Sequence, residues 1–308
     1  MRIIFMGTPE FAVPSLRALA ESQDEVIALV CQPDKPVGRK RELSKPPTKQ
    51  FAESKNIPVL QPAKIRNNEE FLDNLKELAP DLICVAAYGK ILPAEVLELP
   101  KHGCINVHSS PLPKYRGAAP INWAIINGET KTGVTTMLMD EGMDTGDILL
   151  TEETEISLDD TSETLTKRLS EIGAELLIKT INQLKNKGLN PIKQDNTKAT
   201  LAPMLKKEHG QIDWTKSAEE IRNQIRGLLP WPVAFTHLDG KMLKIFDADI
   251  SHESGAPGKV IHCDKKLLRI ACGNGSLDLL EVQLEGNKKM EIKSFLAGRK
   301  IETGTTLG

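Results

Sequence analysis

RIIFMGTPEFAVPSLRALAESQDEVIALV, residues Arg2 to Val30, sets an apolar run (RIIFMG), an amphipathic stretch (VPSLRALAES) and a second apolar run (VIALV) in succession. A short buried strand, a helix and another short buried strand are the signature of a parallel βαβ unit. The same alternation continues through PVL, FLDNLKEL, LICVAA, CINVH, INWAIIN, VTTMLM, DILLTEE and the long TLTKRLSEIGAELLIKTINQL. It predicts a Rossmann-like, doubly wound α/β domain with a mostly parallel sheet over residues 1–189. After Leu189 the character changes. NPIKQDNTKAT is polar and turn-rich, so residues 190–206 read as a linker. Beyond them come IDW, a helix around Ala218 to Arg226, and the runs VAFTHLDGKMLKIFDADI, GKVIHC, LLRIAC and LDLLEVQL, broken by Asp-Gly and Gly-Asn-Gly. Those turn signals predict a small β-barrel domain over residues 207–308.

Composition agrees with two folded domains: the chain has 308 residues, with 40% hydrophobic side chains and a formal charge of −2. A near-neutral chain meets a polyanion through a local patch rather than its net field. The five cysteines (Cys31, Cys84, Cys104, Cys263, Cys272) form no CxxC pair and are odd in number, which argues against a disulfide framework or a metal cluster. No apolar run approaches the roughly 20 residues that span a bilayer. The N-terminus enters directly into a strand pattern without secretory features, and the expected location is the cytoplasm.

Gly7 after the first strand resembles the start of a nucleotide-binding unit, but GxGxxG and GxxxxGK[ST] are both absent. The site is better sought where open α/β sheets bind ligands, beyond the carboxyl ends of their strands. Three segments fit: AAYGKILP (Ala86 to Pro93), INVHSSPLPKYRG (Ile105 to Gly117) and MDEGMDTGD (Met139 to Asp147). Side chains alternate along a strand, so Asn106 and His108 share one face while Ile105 and Val107 take the other. A carboxamide that can hold an oxyanion then sits beside an imidazole that can exchange a proton or, as imidazolium, stabilise charge, so Asn106 and His108 together are expected to hold the oxyanion. Asp144, in a Gly-bracketed loop, is placed to orient His108 or to accept a proton from an attacking amine. The trio suits acyl transfer without a covalent intermediate, although spacing alone leaves Ser110 open as a nucleophile. Asp34 to Lys49 forms a long loop with six basic side chains, Lys35, Arg39, Lys40, Arg41, Lys45 and Lys49, fit to hold phosphates. Trp231, within PWP, reads as a packing residue.

INVHSSPLPKYRGAAPINWAIINGE together with GVTTMLMDEGMDTGDIL is similar to the folate-dependent formyltransferases, whose Asn, His and Asp fall on Asn106, His108 and Asp144. The resemblance implies a 10-formyltetrahydrofolate donor, attack by a primary amine on the formyl carbon, and no metal. MGTPEFAVPSL, QPDKPVGRKRELSKPPTKQFA and IDWTKSAEEIRNQIRGLLPWPVAF extend it over nearly the whole chain, toward members whose acceptor is charged initiator methionyl-tRNA. It further implies that Ser110, Pro111, Leu112 and Pro113, the loop carrying Tyr88, Gly89, Ile91 and Leu92, and the backbone of Asp140, Glu141 and Gly142 bind the folate. Arg39, Lys40 and Arg41 would contact the tRNA acceptor end. The second domain, resembling an oligonucleotide-binding barrel, would extend the phosphate track through Lys206, Lys207, Lys241 and Lys244. The product would be N-formylmethionyl-tRNA for translation initiation, and a monomer suffices. The family's Ser-Leu-Leu-Pro turn is Ser110-Pro111-Leu112-Pro113 here, so a contact through that second amide is missing. A formyltransferase for a small amine, such as an amino sugar nucleotide or glycinamide ribonucleotide, and a noncatalytic RNA-binding protein are the alternatives.

Overall fold

A computed structural model describes residues 1–37 and 42–308. In chain order the first region runs β1 (Arg2–Gly7), α1 (Val13–Ala20), β2 (Glu25–Val30), the short pair β3 (Lys35–Val37) and β4 (Glu42–Ser44), α2 (Pro47–Ser54), β5 (Val59–Leu60), α3 (Glu69–Leu78), β6 (Leu82–Ala86), α4 (Ala94–Leu97), β7 (Cys104–His108) and β8 (Arg116–Gly117). Then follow α5 (Pro120–Ile126), β9 (Lys131–Leu138), β10 (Ile148–Glu155), α6 (Ser162–Lys185) and β11 (Leu201–Ala202). Seven of the strands form one sheet in the order β10-β9-β7-β6-β1-β2-β5. β5, β2, β1, β6 and β7 are mutually parallel, as expected of buried β-branched runs with helical crossovers. The order reverses at β1, the switch point of a doubly wound sheet. Among the described residues no helix is long and apolar enough to cross a membrane.

The edge beyond β7 departs from simple parallel winding. β9 runs antiparallel to β7, with Ile105 opposite Leu138 and His108 opposite Thr135, and β10 runs antiparallel to β9. The loop after β9 therefore leaves the sheet beside the start of β7, where Met139 N donates to Cys104 O at 2.8 Å. It does not leave at the carboxyl ends, as the three-segment expectation required. VTTMLM carries no signal of strand direction, which explains the difference.

Helix α6 covers one face of this region. A Cβ at Gly173 would lie 2.8 Å from Val107 Cγ1, so glycine lets the helix approach β7 closely. Thr180 Oγ1 lies 2.8 Å from Thr136 Oγ1 across the same contact. With Val107 turned to α6, strand alternation turns Asn106 and His108 to the opposite face.

Two compact units emerge, and their limits differ from the expected ones. Met1–Pro120, Lys131–Glu155 and Thr166–Pro203 form the first; Ile121–Thr130, Ile156–Leu165 and Met204–Gly308 form the second. Most of the expected linker belongs to the first unit, because its backbone is hydrogen-bonded there. β11 pairs in parallel with β8, and Ile192 bridges Ile148. Conversely, residues 121–130 and 156–165 join the second unit through bonds such as Asn122 Nδ2 to Gly227 O (2.8 Å) and Arg226 Nη1 to Ser157 O and Asp160 O (both 2.9 Å).

The second unit holds α7 (Ala218–Gly227), β12 (Ala234–Leu238), β13 (Lys241–Ser251), β14 (Val260–Cys263), β15 (Leu268–Ala271), β16 (Ser276–Leu284), β17 (Met290–Glu291) and α8 (Ile292–Ala297). A capping box between Ser217 and Glu220 starts α7. Asp239 and Gly240, both at positive φ, make the tight turn between β12 and β13. The antiparallel order is β12-β13-β16-β15-β14, with β17 on β16. The chain's last residues bond both edges: Val260 N donates to Thr305 O (2.8 Å) and Gly308 N to His237 O (3.1 Å). This seam gives the sheet its barrel-like closure around Trp214, Ile221, Leu243, Ile270, Leu279 and Phe295.

Candidate active site

His108 and Asp144 meet on the open face of β7. His108 is 6% exposed, and its Nε2 lies 2.9 Å from Tyr115 O. A carbonyl only accepts, so Nε2 carries the proton and the neutral ring has its free lone pair on Nδ1. Nδ1 lies 3.7 Å from Asp144 Oδ1. The other carboxylate oxygen, Oδ2, accepts from Gly117 N at 2.8 Å. Imidazole and carboxylate are thus each fixed by a backbone group and face each other across the gap. Asn106, two residues back on the same face, is half-buried, and among the described residues its carboxamide bonds nothing.

Reaching His108 from the start of β7 requires the Met139–Asp147 loop to fold back along the strand. Asp140 Oδ1 accepts from Gly142 N (3.0 Å) and Thr145 Oγ1 (2.7 Å), closing a tight turn. Gly146 is obligatory, since a Cβ there would lie 1.7 Å from Leu138 O. Asp144 itself has φ +54°, a left-handed conformation unusual for a residue with a side chain.

Sequence reasoning passed over the groups that hold this loop. Gln194 Nε2 donates to Asp144 O (2.8 Å) and Gly146 O (2.7 Å), while its Oε1 accepts from Arg116 Nε (3.0 Å) and Nη2 (2.7 Å). Arg116 also donates to Asn196 Oδ1 at 2.9 Å. Gln194 was hidden in the supposed linker. The only signal for Arg116 was an arginine amid apolar and glycine residues with no acidic neighbour in sequence.

The remaining expected residues separate into those that line the surface and those that do not. Ser110 is fully buried, and its hydroxyl donates to Lys114 O at 2.6 Å, which removes it as a nucleophile in this geometry. Thr135, facing the turn from β9, donates to Ser110 O (2.8 Å) and accepts from Leu112 N (3.1 Å), fixing the turn that ends in Pro113. Pro111 is partly exposed. Tyr88 and Leu92 point into the core cluster of Ile4, Met6, Val85 and Val96. Burial pushes the Tyr88 phenol up, and its hydroxyl has no partner among the described residues. On that loop Gly89 and Ile91 are the open residues, Ile91 at 71% exposure. Met143, beside Asp140, Glu141 and Gly142, is 64% exposed and adds a second apolar surface.

Arg39, Lys40 and Arg41 lie outside the described residues. Three other basic residues of that loop are engaged internally. Lys49 pairs with Asp34 at 2.9 Å, Lys45 with Glu53 at 2.7 Å, and Lys35 donates to Gln32 at 2.8 Å. Lys206, Lys207 and Lys241 are exposed and Lys244 is half-buried. Trp231, expected to pack, is 51% exposed between two cis prolines; its neighbours Pro232 and Val233 take the buried positions instead. The described residues contain no group of three His, Cys, Asp or Glu side chains arranged for a metal.

Comparison with known proteins gives the family of the chain. A sequence profile described as "Formyl transferase" matches residues 1–181, and one described as "Formyl transferase, C-terminal domain" matches residues 204–300. Methionyl-tRNA formyltransferase of Caldanaerobacter subterraneus subsp. tengcongensis is 54% identical over 309 aligned residues, covering 100% of both chains. That of Citrifermentans bemidjiense is 52% identical over 308, covering 100% of this chain and 96% of the relative. Among solved structures, an N-formyltransferase from Helicobacter canadensis, in complex with folinic acid and dTDP-3-aminofucose, superposes with TM-score 0.68 at 21% identity, covering 91% of this chain and 98% of the other. HypX from Aquifex aeolicus gives TM-score 0.67 at 19% identity over 98% of this chain and 49% of the other. At such identities the likeness concerns the fold. With two profiles spanning most of its length and full-length relatives above 50% identity, the chain belongs to the formyl transferase family.

Proposed function

We propose that the protein transfers the formyl group of 10-formyltetrahydrofolate to the amino group of methionyl-tRNA, in the cytoplasm and as a single chain. The observation that carries the chemistry is the Asn106 carboxamide, unengaged among the described residues, beside a tautomer-fixed His108 that faces Asp144. The full-length relatives named for methionyl-tRNA support the acceptor.

The residues divide the work by what each has free. The neutral methionyl amine attacks the formyl carbon, a C–N bond forms, and the carbonyl electrons move onto oxygen. Asn106 donates to that oxyanion, an interaction that strengthens as charge develops. The new ammonium gives its proton to His108 Nδ1, and the resulting imidazolium is stabilised by Asp144 Oδ1. Collapse of the intermediate breaks the bond to the folate nitrogen, which takes up a proton from the imidazolium. Tetrahydrofolate and the formylated amine leave with atoms and charge balanced. The Ser110–Pro113 turn, Gly89 and Ile91, and the backbone of residues 140–142 form the folate wall in this reading. Arg39, Lys40 and Arg41 hold the acceptor end.

The test is incubation of the purified protein with 10-formyltetrahydrofolate and, in parallel, methionyl-tRNA, a dTDP-amino sugar or glycinamide ribonucleotide, with mass spectrometry of the acceptors. Formylation of methionyl-tRNA alone is expected. Formylation of a small amine in preference to it, or RNA binding without formyl release, refutes the reading.

A further inference from the structure

Asp144 has a placement problem that the sheet does not solve. Its loop descends from antiparallel β9, leaves beside the start of β7, and carries Asp144 in a left-handed conformation disfavoured for a residue with a side chain. Something outside the sheet must hold the carboxylate opposite His108. The Gly117 amide secures one carboxylate oxygen, and the backbone is secured elsewhere: both N–H bonds of one carboxamide, Gln194, go to the carbonyls of Asp144 and Gly146.

We propose that Gln194 is a positioning residue for formyl transfer, holding Asp144 in reach of His108 through these two carbonyls. The proposal rests on the proton-handling role given to Asp144 above. The orientation of the amide is unambiguous, because carbonyls only accept and a guanidinium only donates. Arg116, 7% exposed, aims its Nε and Nη2 at Gln194 Oε1, and among the described residues no carboxylate lies within ion-pair distance of it. A buried cation whose partners are neutral amides polarises them, and a polarised amide is a stronger N–H donor. Arg116, Gln194 and the loop thus form one directed chain of hydrogen bonds ending at the Asp144 backbone.

The chemistry supplies a variant that separates positioning from mere structure. Q194E offers Arg116 a better partner than the wild-type amide but has no N–H for the two carbonyls. The expected result is a melting temperature at or above that of the wild-type protein, with kcat for methionyl-tRNA reduced about 100-fold, the scale of a 1 Å misplacement. KM for the tRNA is expected to change by less than about threefold, since the loss falls on the chemical step. Q194A loses both functions of the side chain and is expected to lower kcat and stability together; N196A, which removes only an acceptor of Arg116, is expected to keep kcat within about twofold of wild type. Wild-type kcat in Q194E overturns the proposal, as does a comparable loss in N196A, which would assign the effect to Arg116. D144N distinguishes the underlying reading: if D144N turns over normally, the role of Asp144 falls, whereas an inactive D144N beside an active Q194E removes Gln194 alone.

Discussion

Replacing Asn106 with alanine separates catalysis from folding more cleanly than any other substitution in the site. The carboxamide is half-buried and bonds no described residue, so its removal orphans no donor or acceptor. The stability cost is the lost packing of a partly exposed polar group, below about 1 kcal/mol. For a chain of this size that is a shift in melting temperature of no more than about 2–4 °C. The catalytic cost is different in kind. A preorganised oxyanion donor contributes about 2.7–4 kcal/mol to the barrier, so kcat is expected to fall about 10² to 10³-fold. The assay is single-turnover formylation of methionyl-tRNA with saturating 10-formyltetrahydrofolate, beside a thermal melt of the same preparation. H108A is the internal contrast, because it strips the Tyr115 carbonyl of its donor and adds about 1–3 kcal/mol of instability to its catalytic loss. If N106A retains more than about a tenth of wild-type kcat, the oxyanion assignment fails. If it melts as early as H108A, the carboxamide is a structural group after all.

Further outcomes follow from other contacts. T135V leaves Ser110 O and Leu112 N without their shared hydroxyl; it is expected to cost about 1–3 kcal/mol in denaturant melts and to raise KM for the folate donor. G146A places a methyl group against Leu138 O, so its loop cannot keep its path, and hydrogen exchange over residues 139–147 is expected to rise sharply. Burial pushes the thiols of Cys31 and Cys104 up to about 11 and about 12, and Cys272 to about 12, so iodoacetamide at neutral pH is expected to spare all three in the native protein, as intact-mass measurement would show. At Asp24, burial acts to raise the carboxyl, but hydrogen bonds from Lys185 and the N-terminal ammonium outweigh it and hold the pKa below its ordinary value. That contribution is present above the unfolded carboxylate value of about 3.9 and is lost as pH falls through the lower folded value, so D24N is expected to flatten the acid limb of the stability profile.

How far the amino-acid order disclosed all this depended on whether the relevant information is local. Asn106 and His108 could be paired because strand alternation is a two-residue rule, and the close approach of Gly173 to Val107 accounts for the face they occupy. Asp144 could be singled out because glycines bracket it. Its route could not be read, since strand direction at β9 depends on which neighbour VTTMLM finds. Tyr88 and Leu92 were implied as ligand residues by the family resemblance, yet both satisfy the core under the switch point, and the exposed Ile91 between them takes the open side. Gln194 was least visible of all: its acceptor carbonyls lie about fifty residues away in sequence, and polarity alone made its surroundings resemble a tether.

The reversed direction of β9 has one more consequence. Asn106 and His108 belong to a strand hydrogen-bonded on both sides, whereas Asp144 hangs on a loop whose hold is a handful of side-chain and amide bonds. The trio proposed for formyl transfer is therefore built from two parts of unequal stiffness. Local openings of low free energy precede global unfolding in such a case. As denaturant or temperature rises, the carboxylate is expected to leave its station first, while the sheet, and the amide and imidazole upon it, remain in place. Loss of activity is therefore expected at a lower temperature than loss of the fold, as parallel activity and circular-dichroism melts would show.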